Sequence, residues 1–280
     1  MVACSSNATA AIKTDGTLWV WGGNSYGQLG LNDLTNRSKP TQLGTDNTWV
    51  KVSCGWNFSM ALKSDGTLWG WGRQYSGGGL AVNSNSTTQT TPVQEFTSST
   101  NWKDVSVNGG GGSLGSWGIG LKTDGTLWAW GSGTATYIIP NNNHNSLTPV
   151  QEVTYSKWSK IATTGGSGSA IKPDGTLWQW GNSNNGEIGI GTVASYNTFT
   201  QEITYSNNWK QVYMGGNSTL AIKTDGTLWL SSQAFGSLFG APNIGGKTIL
   251  AQEFTSATNW KQSAGAPLQD GFAAIKTGIE

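Results

Sequence analysis

Histidine is nearly absent from this 280-residue chain: there is one, His144, in Asn141-Asn142-Asn143-His144-Asn145. A zinc site needs several His or Cys at ligand spacing, and a Ser-His-Asp triad would have to rest on this one loop residue. No catalytic residues, metal site or cofactor are therefore expected. Cysteine is as scarce, with only Cys4 and Cys54, so no disulfide framework holds the fold. Charged residues make up 11% of the chain and nearly cancel, at a net charge of +1. That excludes electrostatic attraction to nucleic acid or to an anionic membrane as the basis of function. No run approaches about 18 apolar residues, so no membrane-crossing helix is expected. No charged segment followed by an apolar run precedes the rest, so no signal peptide is expected either.

What the chain has is repetition. Asp-Gly-Thr-Leu-Trp occurs five times, at Asp15–Trp19, Asp65–Trp69, Asp124–Trp128, Asp174–Trp178 and Asp225–Trp229. The intervals are 50, 59, 50 and 51 residues, a period that signals a repeat architecture. An apolar-Lys pair precedes each copy, from Ile12-Lys13 to Ile222-Lys223, and a sixth pair, Ile275-Lys276, lacks its Asp-Gly. Four copies continue into Trp-Gly (Trp21, Trp71, Trp130, Trp180), and a Trp opens each following unit (Trp49, Trp102, Trp158, Trp209, Trp260). Of 16 tryptophans, 14 fall at these positions; Trp56 and Trp117 do not.

Asp-Gly between alternating apolar residues predicts a hairpin with a type I′ turn, positive φ at both central residues. In Leu18-Trp19-Val20-Trp21 both strand faces are apolar, so the sheet is covered on both sides. Small two-sided sheets stacking on their neighbours are propeller blades. The expected fold is all-β: one β-propeller domain over 1–280, with repeats starting near 1, 49, 102, 158, 209 and 260. It has five complete blades and a partial sixth; the alternative is a seven-blade-like ring left open. The strands of Trp260 and Ile275 are expected to lie beside the first blade, with a neighbouring subunit covering the open seam.

The repeat resembles that of the regulator of chromosome condensation family, W-x-x-V-x-x-G … A-L-K-x-D-G-x-L-W-x-W-G-x-N-x-x-G-Q-L-G. Trp49–Val52, Ala61–Gly72 and Trp21–Gly30 carry the likeness, with Asn24 and Gln28 in place. The resemblance implies a β-propeller, commonly of seven blades, and this chain departs from it in blade number. It also implies two functional alternatives: an intracellular, cytoplasmic regulator similar to a guanine-nucleotide exchange factor, or a protein inhibitor of an enzyme.

Most ionisable residues belong to the repeat. Five of 15 carboxylates are turn aspartates and four are Glu95, Glu152, Glu202 and Glu253, each following Gln. Equivalent placement in each blade argues for structure, as for Gly16, Gly66, Gly125, Gly175 and Gly226 and for Trp19, Trp69, Trp128, Trp178 and Trp229. Cys4 and Cys54 occupy equivalent positions and are expected to be two buried free thiols. The loops 24–39, 74–89, 132–147, 182–198 and 233–248 differ between units, and a rigid frame with divergent loops suits recognition. The candidate binding residues are Tyr26, Arg37, Arg73, Tyr75, Tyr137, His144, Tyr196 and Phe235, with off-repeat Trp56 and Trp117 for stacking. The uncharged Asn/Ser/Thr/Gly-rich surface leads to the expected role: a non-enzymatic module on a virion or extracellular surface. It would be a phage fibre, tail or capsid-decorating protein, binding a protein partner or a surface glycan through these loops.

Overall fold

Lys13 donates its amide to Thr17 O at 3.0 Å, and Gly16 donates to Lys13 O at 3.1 Å. These two bonds close a three-residue loop, Thr14-Asp15-Gly16. Gly16 has φ of 82°, and Asp15 is not among the positive-φ residues. The turn is thus a type I turn closed by a left-handed glycine, not the type I′ turn expected from the Asp-Gly pair. The Asp15 carboxylate accepts from the Thr17 amide (3.0 Å) and hydroxyl (2.6 Å), and that hydroxyl accepts from Trp19 Nε1 at 2.9 Å. The same Asp-Thr-Trp chain recurs at Asp65, Asp124, Asp174 and Asp225.

The computed structural model describes residues 1–5, 7–74, 78–84, 88–109, 115–131, 146–152, 154, 156–183, 186, 188–216, 218–232, 247–253, 255–265 and 272–276. The first blade is β1 (Val2–Cys4), β2 (Ala8–Ile12), β3 (Leu18–Gly22) and β4 (Arg37–Gln42), antiparallel in that order. Four more four-stranded blades follow, and the sixth sheet pairs Trp260–Gly265 with Phe272–Lys276. Five complete blades and a partial sixth are therefore present.

The hydrophobic core lies between blades. One cluster joins Ile12, Leu18, Val20 and Leu29 of the first blade to Trp49, Val52, Cys54 and Trp71 of the second. Equivalent clusters join the second blade to the third, the third to the fourth, the fourth to the fifth, and the fifth to Trp260. The Trp-x-Trp strand serves both neighbours. Trp71 and Trp130 are fully buried and donate Nε1 to Gln28 O and Gly79 O of the preceding blade, each at 2.9 Å. Trp19, Trp69, Trp128, Trp178 and Trp229 lie partly buried, each under the repeat lysine at 3.8–4.3 Å from the ring centroid. The innermost strand Trp260–Gly265 packs on the fifth blade; no packing of that extent joins it to β1 among the described residues.

Each Asp-Gly turn also docks the next blade. Gly16, Gly66, Gly125, Gly175 and Gly226 each accept, through their carbonyls, the amide of the next blade-opening Trp at 2.8–3.1 Å. A Cβ at Gly66 would lie 2.2 Å from Thr100 O, where φ is 78°. Gly66→Val is therefore expected to destabilise by about 3 kcal/mol, roughly 6–12 °C in thermal midpoint. Gly165→Ala, with nothing within 4 Å of its added Cβ, is the control and is expected to be near neutral. Equal midpoints for the two variants would refute the docking role.

The hydroxyl and amide of the following Thr hold the turn carboxylates below their ordinary range. A depressed folded-state value stabilises above the unfolded value, and that stability is lost as pH falls through the folded one. Stability is thus expected to decline below about pH 4, and Asp65→Asn to narrow its gap to the parent as pH drops. A gap that widens in acid would contradict the assignment.

Candidate recognition surfaces

The antiparallel order gives the propeller two unlike rims. One carries the Asp-Gly turns and the connectors to the next blade. The other carries the turns between the two inner strands and the long, divergent loops; Gly23, which starts the first of these loops, bonds its amide to Asn7 O at 2.6 Å. Tyr26, Arg37, Trp56, Arg73 and Tyr196 all fall at this loop rim. Tyr75, Tyr137, His144 and Phe235 lie outside the described residues.

The first long loop is held by its own bonds. Asn24, fully buried, donates to Asp33 O (2.9 Å) and accepts from the Leu29 amide (2.9 Å). Its own amide goes to Asn36 Oδ1 at 2.8 Å. Asp33 in turn receives Arg37 Nη2 at 2.5 Å and the Thr35 amide at 2.9 Å, and these two contacts hold its carboxyl below the usual range. Tyr26 is brought under the Arg73 guanidinium of the second blade, 5.1 Å from the ring centroid. Leu34 stands 54% exposed in the same loop. The structure thus gathers Tyr26, Arg37 and Arg73 on the first two blades. Tyr196 sits apart on the fourth, its hydroxyl 2.9 Å from Thr192 Oγ1. Trp56 is partly buried in the turn between Trp49–Cys54 and Phe58–Lys63.

Two expectations are corrected. Trp117 is not a surface stacking residue: it has no exposed area and packs with Ile119, Leu127, Trp158 and Trp180 between the third and fourth blades. Of the two free thiols only Cys54 is buried, and burial pushes its thiol up to about 12; Cys4 is exposed, because no blade covers β1 on its other flank among the described residues.

The axis holds a second surface that the repeat pattern concealed. A cavity of about 240 Å³ is lined by the innermost strands of five blades, Lys51, Ser53, Asp104, Ser106 and Lys160 among them. Lys51, Asp104 and Lys160 stand at one repeat position, two residues after Trp49, Trp102 and Trp158. The Lys51 ammonium contacts the Asp104 carboxylate directly. Burial, then the like charge of Lys160, push Lys51 down to about 7; the carboxylate in contact opposes that shift. Ser53 Oγ accepts the Val107 amide (3.0 Å), and Ser106 Oγ accepts the Thr163 amide (3.1 Å), so hydroxyls stitch adjacent blades along the cavity wall. The signal for these residues was charge of both signs at one position, two residues after the Trp that opens each unit. No group of His, Cys, Asp and Glu fit to hold a metal ion occurs among the described residues, and no helix there is long and apolar enough to cross a membrane.

Comparison with known proteins agrees with this architecture. Residues 15–62 match the Regulator of chromosome condensation (RCC1) repeat, and residues 49–77 match a second form of it. The X-linked retinitis pigmentosa GTPase regulator of Canis lupus familiaris is 45% identical over 42 residues, 15% of this chain. The Homo sapiens protein of that name is 39% identical over 51 residues, 18% of this chain. The chain spans only 4% and 5% of the length of these two relatives. Among solved structures, human WBSCR16 superposes with a TM-score of 0.80 at 16% identity, over 99% of this chain and 71% of that one. Yeast RCC1 (Prp20) with Kap60 bound gives 0.77 at 20% identity, over 95% and 65%. Prp20p from Saccharomyces cerevisiae, in a structure reported with its binding properties to Gsp1p and histones, gives 0.76 at 16% identity, over 100% and 69%. This chain, accordingly, matches the RCC1 repeat over residues 15–77 and has the all-β propeller fold of the solved RCC1 structures.

Proposed function

We propose that the chain is a non-enzymatic protein-recognition propeller of the regulator type, engaging a GTPase-class partner through its loop rim. The observation that carries this reading is the Tyr26–Arg73 stack across the first two blades; the Asp33–Arg37 pair and exposed Leu34 belong to the same long loop segment as Tyr26. Aromatic and arginine side chains held in place before binding dominate protein interfaces, since little conformational freedom is left to lose. The likenesses support the regulator setting over the virion surface. The short-range relatives are named GTPase regulators, and the yeast neighbours are described with protein partners. They lend nothing to a glycan ligand.

The test is complex formation and nucleotide release with GTPases from the same source. A saturable complex is expected. Arg73→Ala and Tyr26→Ala should each weaken it by about 2 kcal/mol, near thirtyfold, with the thermal midpoint unchanged. No complex with any such GTPase, or full affinity in both variants, would overturn the reading.

A further inference from the structure

We propose that the axial cavity is a binding site for a carboxylate group, with Lys160 as its primary charge and Lys51 as its second. This site is separate from the loop rim and does not depend on the partner argued for that surface. The chain's other charges are largely spent on the scaffold: turn aspartates on Thr, connector glutamates on Thr, repeat lysines on Trp. The axial group serves no such repeat function, since the same position is Lys51, Asp104, Lys160 and then Gln211 in successive blades. Two ammonium groups face one carboxylate there. Asp104 is committed to Lys51, while Lys160 is exposed at the cavity and its ammonium makes no hydrogen bond or ion pair among the described residues.

The donors around it suit an oxyanion. Ser53 Oγ accepts the Val107 amide, which leaves its own proton free to donate into the cavity. Ser106 and Thr163 share one hydroxyl bond at 2.8 Å, so one of their two protons is also free. Size and charge then select the ligand. At about 30 Å³ per water, 240 Å³ is the room of about eight waters, enough for a carboxylate and its stem. With Lys51 protonated, one positive charge is in excess and matches a single carboxylate; a phosphate monoester brings about 1.5–2 negative charges at neutral pH. The carboxylate can come from a small organic acid or from a Glu side chain presented by a protein.

The experiment titrates the intact chain with two probes: propionate, and the capped peptide Gly-Gly-Glu-Gly-Gly with its Gln analogue as control. Saturable amide shifts at Lys51, Lys160 and Tyr213 are the readout. Lys160→Ala is expected to weaken binding about tenfold, and Asp104→Asn to tighten it about tenfold by removing the competing carboxylate. Lys39→Ala, on the exposed outer strand, should leave it unchanged. Binding of propionate alone points to a free acid, binding of the Glu peptide alone to a protein side chain, and either supports the site. No saturation by either probe up to about 100 mM, or unaltered affinity in Lys160→Ala, overturns it. Should Asp104→Asn fail to fold, the Lys160 variant decides.

Discussion

The hydrogen bond from a blade-opening Trp amide to the carbonyl of the preceding Asp-Gly turn is the constraint on which the structure depends. It fixes where each blade begins relative to the one before. At Gly16, Gly66, Gly175 and Gly226 the incoming chain passes so close that a Cβ would overlap its carbonyl oxygen at 1.9–2.2 Å, and the φ there is positive as well. Only glycine meets both conditions. The neighbouring residues then follow. Asp closes the loop on Thr, Thr orients the Trp ring, and the repeat Lys covers that ring and, from Lys63 onward, the blade-opening Trp at 4.4–5.4 Å. Burial of the connector glutamates belongs to the same device. Glu95 and Glu253 accept the blade-opening Trp Nε1 at 3.1 and 3.2 Å. Burial by itself would raise the Glu253 carboxyl, but the Thr255 hydroxyl and amide, the Ala257 amide and the Trp260 ring more than offset it and leave it lowered.

Much of this was legible because the repeat states each feature several times. Blade number and the packing role of the recurrent tryptophans follow from spacing alone. The turn type did not. The Asp-Gly signal is shared by two hairpin geometries, and the bond from Lys13 N to Thr17 O selects the longer one. Trp117 was misjudged because it stands outside the Trp repeats. Yet it lies four residues before Leu121, as Phe58 lies four before Leu62, and both positions are buried in blade junctions. Cys4 and Cys54 are equivalent in sequence but not in surroundings, since a repeat at the end of a stack has one neighbour instead of two.

The candidate sites were less legible for the opposite reason. Recognition residues are those the repeat leaves free, so periodicity gives no help in finding them. Tyr26 stood in the first loop and Arg73 at the end of a strand in the next unit, and only the stacking of the first two blades brings them together. Lys51, Asp104 and Lys160 are some 50 residues apart along the chain and meet only at the axis. A scaffold that places each blade by the same bond can vary both surfaces without altering the blade order.

Hydrogen exchange at single-residue resolution tests the docking bond most directly. If the Asp-Gly carbonyls anchor successive blades, the amides of Trp49, Trp102, Trp158 and Trp209 should exchange as slowly as the central-strand amides of Met60 and Ile119, although three of them open edge strands and Trp158 precedes one. Exchange at these four positions as fast as at the exposed turn amides would show that the blades are held by side-chain packing alone, and that the bond is incidental.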